Sequence, residues 1–280
     1  MLQIPPIKSP LRYPGGKSKA IKQILPLIPD FKEFREPMVG GASVFFALKQ
    51  IRPEAKFWIN DINQELYLFW KSCKEDSEKL IQQINKIKIE TKEGRTLHQN
   101  LVRNNKERND FQRALRFFVL NRITFSGLAE SGGYSDGAFN HRFTESSIER
   151  LKKASEILQN TLITNEDYEN LLNKEGEEVF IFLDPPYLSK TKSKLYGKKG
   201  DLHETFDHER FAKAIKKCKH KWLITYDDSK EVRELFSKPE DKGKIFIYEW
   251  ELQYGMNNYK QEKAAKGKEL FISNYPIDLK

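Results

Sequence analysis

The sequence predicts an α/β protein with a doubly wound sheet, interrupted by a mainly helical insertion. Strand-length apolar runs alternate with helical patterns near both ends, whereas residues 71–159 read as mainly helical. The 280 residues exceed one minimal domain and fall short of two full ones, and 38% of them are hydrophobic, enough for a core. We therefore expect residues 1–70 and 160–280 to form the α/β core and residues 71–159 to form the insertion.

The expected strands follow from short apolar runs, and the expected helices from apolar residues at helical spacing. The run Glu178–Leu183 (EVFIFL) is apolar from Val179 onward, which is typical of a strand buried on both faces. A Gly-, Ser- and Asn-rich passage, Ser126–Asn140, predicts a hairpin with turns at Gly132-Gly133 and Asp136-Gly137. The other expected strands end near residue 39 or span residues 56–60, 161–165, 222–226, 244–251 and 270–274. Two helices are expected to begin at Gly40-Gly41 and near Gln64. Two more are expected to span residues 207–219 and 229–236.

The charge balance favours a polyanionic partner. Lys and Arg number 49 against 40 Asp and Glu, a formal net charge of +9. Between Lys86 and Arg122, ten basic residues face four acidic ones, which indicates a basic helical lobe. A solvated helical surface has the same composition, so both interpretations stay open.

Several classes of protein are not expected. Two cysteines are too few for a disulfide framework and fit a reducing cytoplasm. No apolar stretch has the length of a membrane span or a signal peptide core. The five histidines show no spacing with Cys or carboxylates that predicts a metal site. We expect a cytoplasmic protein that uses no metal and no membrane.

The sharpest candidate for chemistry is Asp184-Pro185-Pro186-Tyr187, directly after the apolar strand. Ligands bind at the carboxyl ends of strands in open α/β sheets. A carboxylate and a main-chain carbonyl that accept both hydrogens of a planar amine, such as N6 of adenine, favour a pyramidal, nucleophilic nitrogen. The Pro-Pro step would fix that carbonyl, and Tyr187 would offer a flat face to an extruded base. A plain strand-ending turn is the structural alternative.

A second candidate site is the turn Gly40-Gly41, which follows an apolar run and opens a helix. Glycines there would let a ligand approach the backbone. Asp61 ends the next strand twenty residues later, the usual distance for a carboxylate that binds ribose hydroxyls. The pattern is not GxGxxG, so a ligand without a pyrophosphate is favoured. A turn that merely requires glycine is equally compatible.

The segment Tyr13–Ser18, YPGGKS, resembles a phosphate loop only superficially. The first glycine of that loop would fall at position 11, where Leu11 stands, and Pro14 would disturb the cradle. A nucleotide kinase is therefore not expected. The segment would instead place an aromatic ring and an ammonium beside a cofactor.

Taken in order, these motifs resemble the D12-class, Dam-type DNA adenine-N6 methyltransferases. The matching segments are Arg12–Lys17, Glu36–Phe46, Asn121-Arg122 with Phe125–Gly127, Asp184–Tyr187 and Gly267–Asn274. The resemblance implies a Rossmann-like core that binds S-adenosylmethionine (SAM), releases S-adenosylhomocysteine, and carries an inserted target-recognition domain. It also implies duplex DNA as substrate, flipping of the target base and, for relatives in restriction systems, a cognate endonuclease.

The resemblance also implies residue roles. The residues expected at the cofactor are Tyr13, Lys17, Pro37, Gly40, Gly41, Ser43, Asp61, Ile62, Asp167, Tyr168 and Asp184. The residues expected at DNA are Arg122, Phe125, Ser126, Tyr134, His141, Arg142, Lys192 and Lys194, the two lysines lying on a basic loop after the tetrad. Phe125 is equally compatible with a core position, and Asn121 and Arg122 with a purely structural role. GATC-methylating relatives commonly carry an Arg near the position of Glu130, which argues against a GATC target.

Two other functions remain open at this point. An RNA or protein amine methyltransferase would use the same tetrad, since it serves planar amines generally. A catalytically silent DNA-binding regulator would keep the fold without the chemistry. The large central insertion favours duplex DNA over the first, and the intact tetrad argues against the second.

Overall fold

The computed structural model describes residues 7–103, 108–188, 206–253 and 266–278. Within these ranges the core is a seven-stranded sheet. The strands are β1 (Glu33–Glu36), β2 (Lys56–Asn60), β3 (Thr161–Thr164), β4 (Val179–Leu183), β5 (Lys221–Asp227), β6 (Phe246–Gln253) and β7 (Lys266–Ser273). Their order in the sheet is β3-β2-β1-β4-β5-β7-β6, and β7 runs antiparallel to the other six strands.

The helices cover both faces of this sheet and build the insertion. They are α1 (Ile21–Ile24), α2 (Ser43–Ile51), α3 (Gln64–Glu75), α4 (Ser77–Glu90), α5 (Gly94–Arg103), α6 (Asp110–Ile123), α7 (Asp136–Arg142), α8 (Glu145–Ile157), α9 (Tyr168–Asn173), α10 (His208–Lys217) and α11 (Lys230–Phe236). The predicted α/β core with a mainly helical insertion is confirmed. Most predicted strands differ from the observed ones by only a few residues at their ends.

Strand β4 lies at the centre of the sheet and is buried on both faces. Phe180 and Phe182 pack into the core on one face, and Val179, Ile181 and Leu183 into the core on the other. Because side chains alternate along a strand, a continuous apolar run is what two covered faces require. The strand thus holds Asp184, the next residue, firmly at the carboxyl edge.

The strand order reverses between β1 and β4. The chain moves from β1 outward through β2 and β3, then returns to add β4 and β5 on the other side of β1. The crossover connections therefore leave the sheet in opposite directions here and open a crevice at the carboxyl ends of these two strands. Glu36 at the end of β1 and Asp184 after β4 border that crevice.

The insertion, α3 to α8, shares one hydrophobic core with the sheet. Phe69 of α3 stacks on Phe118 of α6 with ring centroids 5.8 Å apart, and Leu151 of α8 is fully buried in the same cluster as Phe34 of β1. The predicted boundary after residue 70 falls within α3. No polar layer separates the helical cluster from the core of the sheet in the described part of the chain.

The predicted hairpin over residues 126–140 is wrong. A single antiparallel bridge joins Thr124 to Tyr134 in this region and closes what we call the 124–134 loop. The Asp136-Gly137 step is the first turn of α7, because the side chain of Ser135 caps the helix by accepting a hydrogen bond from the Ala138 amide at 3.2 Å. The serine cap therefore starts a helix where a second strand was expected.

The shared core predicts that the sheet and the insertion unfold together. Leu151→Ala should lower the free energy of unfolding by about 2–5 kcal/mol, since it empties a fully buried site. Calorimetry should show one transition that moves as a whole to lower temperature. Leu162→Ala, on the exposed outer face of β3, serves as the matched control and should change little. Two separate transitions, with only one shifted by Leu151→Ala, would contradict a common core.

Candidate active site

A cavity of about 290 Å³ opens at the carboxyl ends of β1, β2 and β4. It brings together the glycine turn, the YPGGK segment and the tetrad, which are far apart in sequence. Every residue predicted at the cofactor lines it, together with all four residues of the tetrad. Further lining residues, for which the sequence predicted no role at the cofactor, include Glu36, Met38, Asn60, Asn63, Phe206 and Arg210.

Asp184 is held by two donors that come from distant parts of the chain. The ammonium of Lys17 lies 2.6 Å from Oδ1 and 2.8 Å from Oδ2 of Asp184, and the hydroxyl of Thr225 donates to Oδ1 at 2.8 Å. Lys17 is only 4% exposed, so this ion pair is largely shielded from water. The contacts fix the orientation of the carboxylate at the cavity wall.

Tyr187 is more enclosed than a free stacking platform would be. Its ring is 7% exposed, and its hydroxyl donates to the buried carboxylate of Glu269 at 2.7 Å. The Lys17 ammonium lies 4.8 Å from the ring centroid, a cation–π distance. The aromatic ring, Lys17 and Asp184 therefore form one packed unit at the cavity wall.

The space beside the glycine turn is filled by the side chain of Tyr13. The sequence had predicted that these glycines leave the space open for a ligand. A Cβ on Gly40 would lie 2.7 Å from the Tyr13 ring, and a Cβ on Gly41 would lie 2.9 Å from Tyr13 Cβ. Gly40 also has φ +47°, a region that glycine adopts without strain. Both glycines thus make room for Tyr13, whose packing joins the YPGGK segment to the end of β1.

Asp61 lies buried at the end of β2 and accepts two main-chain hydrogen bonds. The amides of Gly40 and Asn63 each donate to it at 3.0 Å. Burial nevertheless raises the pKa of Asp61 to about 6, and the nearby charge of Glu130 adds to the increase. Glu130 itself accepts a hydrogen bond from the Asn63 side chain at 2.7 Å, which ties the 124–134 loop to the cavity.

Glu36 is a second buried carboxylate in the cavity wall. Its Oε2 accepts the amide of Phe45 at 3.0 Å, near the start of α2. Burial raises the pKa of Glu36 well above its usual range, and the charges of Asp184 and Asp61 raise it further. The sequence placed Glu36 at the start of the family-matching segment Glu36–Phe46 but predicted no role for it.

The far end of the cavity carries an aromatic side chain between ion-paired groups. Arg210 bonds Asp167 at 2.9 Å and Glu169 at 2.7 Å, and its guanidinium lies 5.2 Å from the Tyr168 ring centroid. Ile62 is 56% exposed on the same cavity. Tyr168 and Ile62 thus supply apolar surface suited to a flat ring. Arg210 lies on a helix with many charges, so its sequence gave no signal.

The residues predicted at DNA lie in different environments. Arg122 is 3% exposed, and its Nε donates to the carbonyl of Arg142 at 2.8 Å. Phe125 is 62% exposed at the start of the 124–134 loop, and His141 and Arg142 are exposed on α7. Ser126 and Tyr134 are half-buried in or beside the same loop. Lys192 and Lys194 lie outside the described residues.

The YPGGK segment is fastened to the insertion as well as to the sheet. Asn121 accepts the amide of Arg12 at 2.9 Å and donates to the carbonyls of Arg12 at 2.9 Å and Gly127 at 2.7 Å. Gly127 has φ +77°, and a Cβ there would lie 2.2 Å from the Arg12 carbonyl oxygen. The segment therefore connects the 124–134 loop to the cavity.

The donor set of the cavity fits SAM. The molecule carries ribose hydroxyls, an amino group and an adenine ring, and the cavity offers a carboxylate on β2, a second carboxylate on β1 and apolar surface near Tyr168. None of these groups requires the phosphate cradle that the glycine turn lacks. In the described ranges, no cluster of three or more His, Cys, Asp or Glu side chains is arranged to hold a metal ion, and no helix has the length and apolar character of a membrane span.

Comparison with known proteins identifies the family of this chain. The profile of the family described as D12 class N6 adenine-specific DNA methyltransferase matches residues 13–256, most of the chain. The type II methyltransferase M.MjaIII of Methanocaldococcus jannaschii is 32% identical over 234 residues, which cover 75% of this chain and 80% of that protein.

Two further relatives point the same way. The type II methyltransferase M1.LlaDCHI of Lactococcus lactis subsp. cremoris is 26% identical over 250 residues, covering 84% of this chain and 78% of the relative. The DNA adenine methylase of Escherichia coli K12 is 26% identical over 183 residues, covering 63% of this chain and 64% of the relative. This chain therefore belongs to the D12 class of N6 adenine-specific DNA methyltransferases.

Proposed function

We propose that the cavity binds SAM beside a flipped adenine, and that Asp184 and the Pro185 carbonyl orient the N6 amine for direct methyl transfer. The observation that carries this proposal is the convergence of the tetrad, the glycine turn and Asp61 on one cavity. The carboxylate and the carbonyl lie in consecutive residues at the end of β4, so a single planar amine can donate one hydrogen to each.

SAM supplies a methyl group on a positively charged sulfur, and the chain supplies position and polarity. The N6 lone pair forms the new C–N bond as the C–S bond breaks, and N6 then releases a proton toward Asp184 and solvent. No covalent bond to the enzyme forms. Acceptors for both N6 hydrogens concentrate electron density on the nitrogen, which lowers the barrier for attack.

Lys17 and Asp61 position the two reactants. Adenine N6–H donates to Asp184 in place of one of the two contacts that Lys17 makes now, and the base then lies against Tyr187. Asp61 accepts the ribose hydroxyls, Ile62 borders the ribose, and Tyr168 borders the adenine of the cofactor. Tyr13, Pro37, Gly40, Gly41, Ser43 and Asp167 complete the cofactor site.

We assign target recognition to residues 71–159. Phe125 is the exposed aromatic side chain suited to fill the space of the flipped base, because it projects from a loop tied to the cavity through Asn63. The duplex is contacted by Ser126, Tyr134, Arg142, Lys192 and Lys194. Arg122 is buried and supports this surface through its hydrogen bond to the carbonyl of Arg142. The names of the type II relatives support a role in a restriction system, with a cognate endonuclease acting on the same site. A DNA substrate is consistent with a location in the cytoplasm.

The function is tested by expressing the protein in a methylation-free host and sequencing the genome for N6-methyladenine. Methylated adenines at one recurring sequence would support the proposal and give the target. Tritiated SAM with separate DNA, RNA and protein pools tests the alternatives. Label in RNA or protein but not in DNA would overturn the proposal, and failure to bind SAM in calorimetry would indicate a silent regulator.

Asp184→Asn should lower the rate of transfer by at least about 100-fold while leaving duplex binding nearly unchanged. The amide keeps an acceptor for Lys17 and Thr225 but loses the negative charge beside N6. Tritium incorporation measures the rate, and fluorescence anisotropy measures DNA affinity. Asp228→Asn is the matched control, because that carboxylate pairs with Arg233 outside the cavity. A variant with full activity would refute the role of Asp184.

SAM affinity should fall as the pH drops through about 6, because the ribose hydroxyls need the ionised form of Asp61. Below that pH the dissociation constant should rise about tenfold per pH unit, as calorimetry between pH 5 and 8 will measure. Glu130→Gln removes a neighbouring negative charge and should move the midpoint to lower pH. Asp61→Asn should bind more weakly and lose the dependence. The same pH profile in Asp61→Asn would assign the titration to another group.

A further inference from the structure

Four arginines from separate parts of the chain gather beneath the 124–134 loop. We call Arg12, Arg122, Arg142 and Arg150 the arginine cluster. Arg122 is its buried centre, donating to the carbonyl of Arg142 through Nε at 2.8 Å and to the carbonyl of Pro10 through Nη1 at 3.1 Å. Arg12 precedes the YPGGK segment, and its Nη1 donates to the carbonyl of Thr124 at 2.9 Å.

The positive charges in this cluster are not balanced by protein carboxylates. Burial, together with the neighbouring charges of Arg150, Arg12 and Arg142, lowers the pKa of Arg122 to about 9. Burial and Arg142 lower the pKa of both Arg12 and Arg150. Within the described residues, none of the four guanidinium groups forms a salt bridge. An external anion would therefore relieve the repulsion among the four guanidinium groups.

Arg150 also has donor capacity to spare. In the described part of the chain its Nε is buried and has no hydrogen-bond partner, and its Nη1 makes one long contact with Ser146 Oγ at 3.4 Å. A guanidinium offers five N–H donors in a planar fork that matches two phosphate oxygens. Arg142, exposed at the end of α7, lies at the open side of the cluster.

We propose that the arginine cluster binds a backbone phosphate of the DNA duplex. Arg142, Arg150 and Arg12 contact the phosphate, and Arg122 is a positioning residue that holds the backbone of Arg142. A phosphodiester fits because its two free oxygens suit forked donors and its charge relieves the repulsion. This inference rests on the DNA substrate of the proposed function and adds a specific contact, with Arg150 as a residue that no sequence motif indicated.

The position of the cluster gives the phosphate a route to the catalytic residues. Arg12 is five residues before Lys17, and the intervening chain is held by Asn121 and packed through Tyr13 on the glycine turn. A phosphate bound at Arg12 therefore neutralises charge at one end of a segment whose other end holds Asp184. Backbone contacts of this kind fix register without reading sequence.

The salt dependence of DNA binding tests the proposal. Anisotropy of a fluorescent 20-base-pair duplex, titrated over a series of NaCl concentrations, gives the slope of log K against log salt. Arg150→Gln and Arg142→Gln should each weaken binding and reduce the slope by up to about 0.9, the loss expected for one phosphate contact. Lys152→Gln is the matched control, since that exposed residue lies about 200° around α8 from Arg150 and carries the same charge.

The two variants together keep the test decisive. Arg142 is exposed, so its replacement leaves the fold intact even where replacement of Arg150 disturbs packing, and thermal unfolding checks both. Unchanged slopes in both folded variants would overturn the proposal, as would thermal stabilisation by inorganic phosphate that needs Arg150 while the DNA slopes stay the same. If the wild type methylates adenine but the variants keep its salt slope, only the proposed phosphate contact is refuted. If the wild type binds no duplex, the proposed function itself is refuted.

Discussion

The ion pair between Lys17 and Asp184 is the contact on which the rest of the site depends. It joins the segment before α1 to the end of the central strand across 167 residues of sequence, and Lys17 is almost fully shielded from water. Removing either partner would leave a charge in a site where desolvation is costly. Thr225 on β5 adds a third element to the same carboxylate. The contact therefore fixes the geometry of the tetrad and closes one wall of the cavity.

Strand order explains why these residues meet. The carboxyl ends of β1 and β4 are neighbours only because the sheet reverses its order there. Gly40 and Gly41 let Tyr13 pack on the end of β1. Asn121, which belongs to the insertion, accepts a hydrogen bond from the amide of Arg12, the residue before Tyr13. The sheet, the YPGGK segment and the insertion are thus joined by a continuous set of contacts. The cavity is a product of topology more than of any single motif.

Local sequence patterns predicted much of this molecule. The apolar run through Leu183 specified a doubly covered strand, and the residues just after it line the cavity because strand ends meet at one edge. The patterns failed where long-range contacts decide. Thr225 reads as an ordinary strand residue, Arg150 as a surface charge on a helix, and the Ser135 cap overrode the turn expected at Asp136-Gly137. The packing of Tyr13 on Gly40 is another long-range contact that local patterns missed, since the glycines alone suggested space for a ligand.

The attachment of Arg12 to Asn121 and Gly127 has a consequence for chimeric enzymes. Suppose that the recognition segment of another methyltransferase replaced residues 71–159. It would then contact the chain around Arg12, which in this protein fits the 124–134 loop. The Gly127 position tolerates no side chain against the Arg12 carbonyl, so a donor with alanine there would collide with the host backbone. An exchange of specificity between such enzymes should therefore transfer the chain around Arg12 together with the 124–134 loop. The two segments belong together even though more than a hundred residues separate them along the chain.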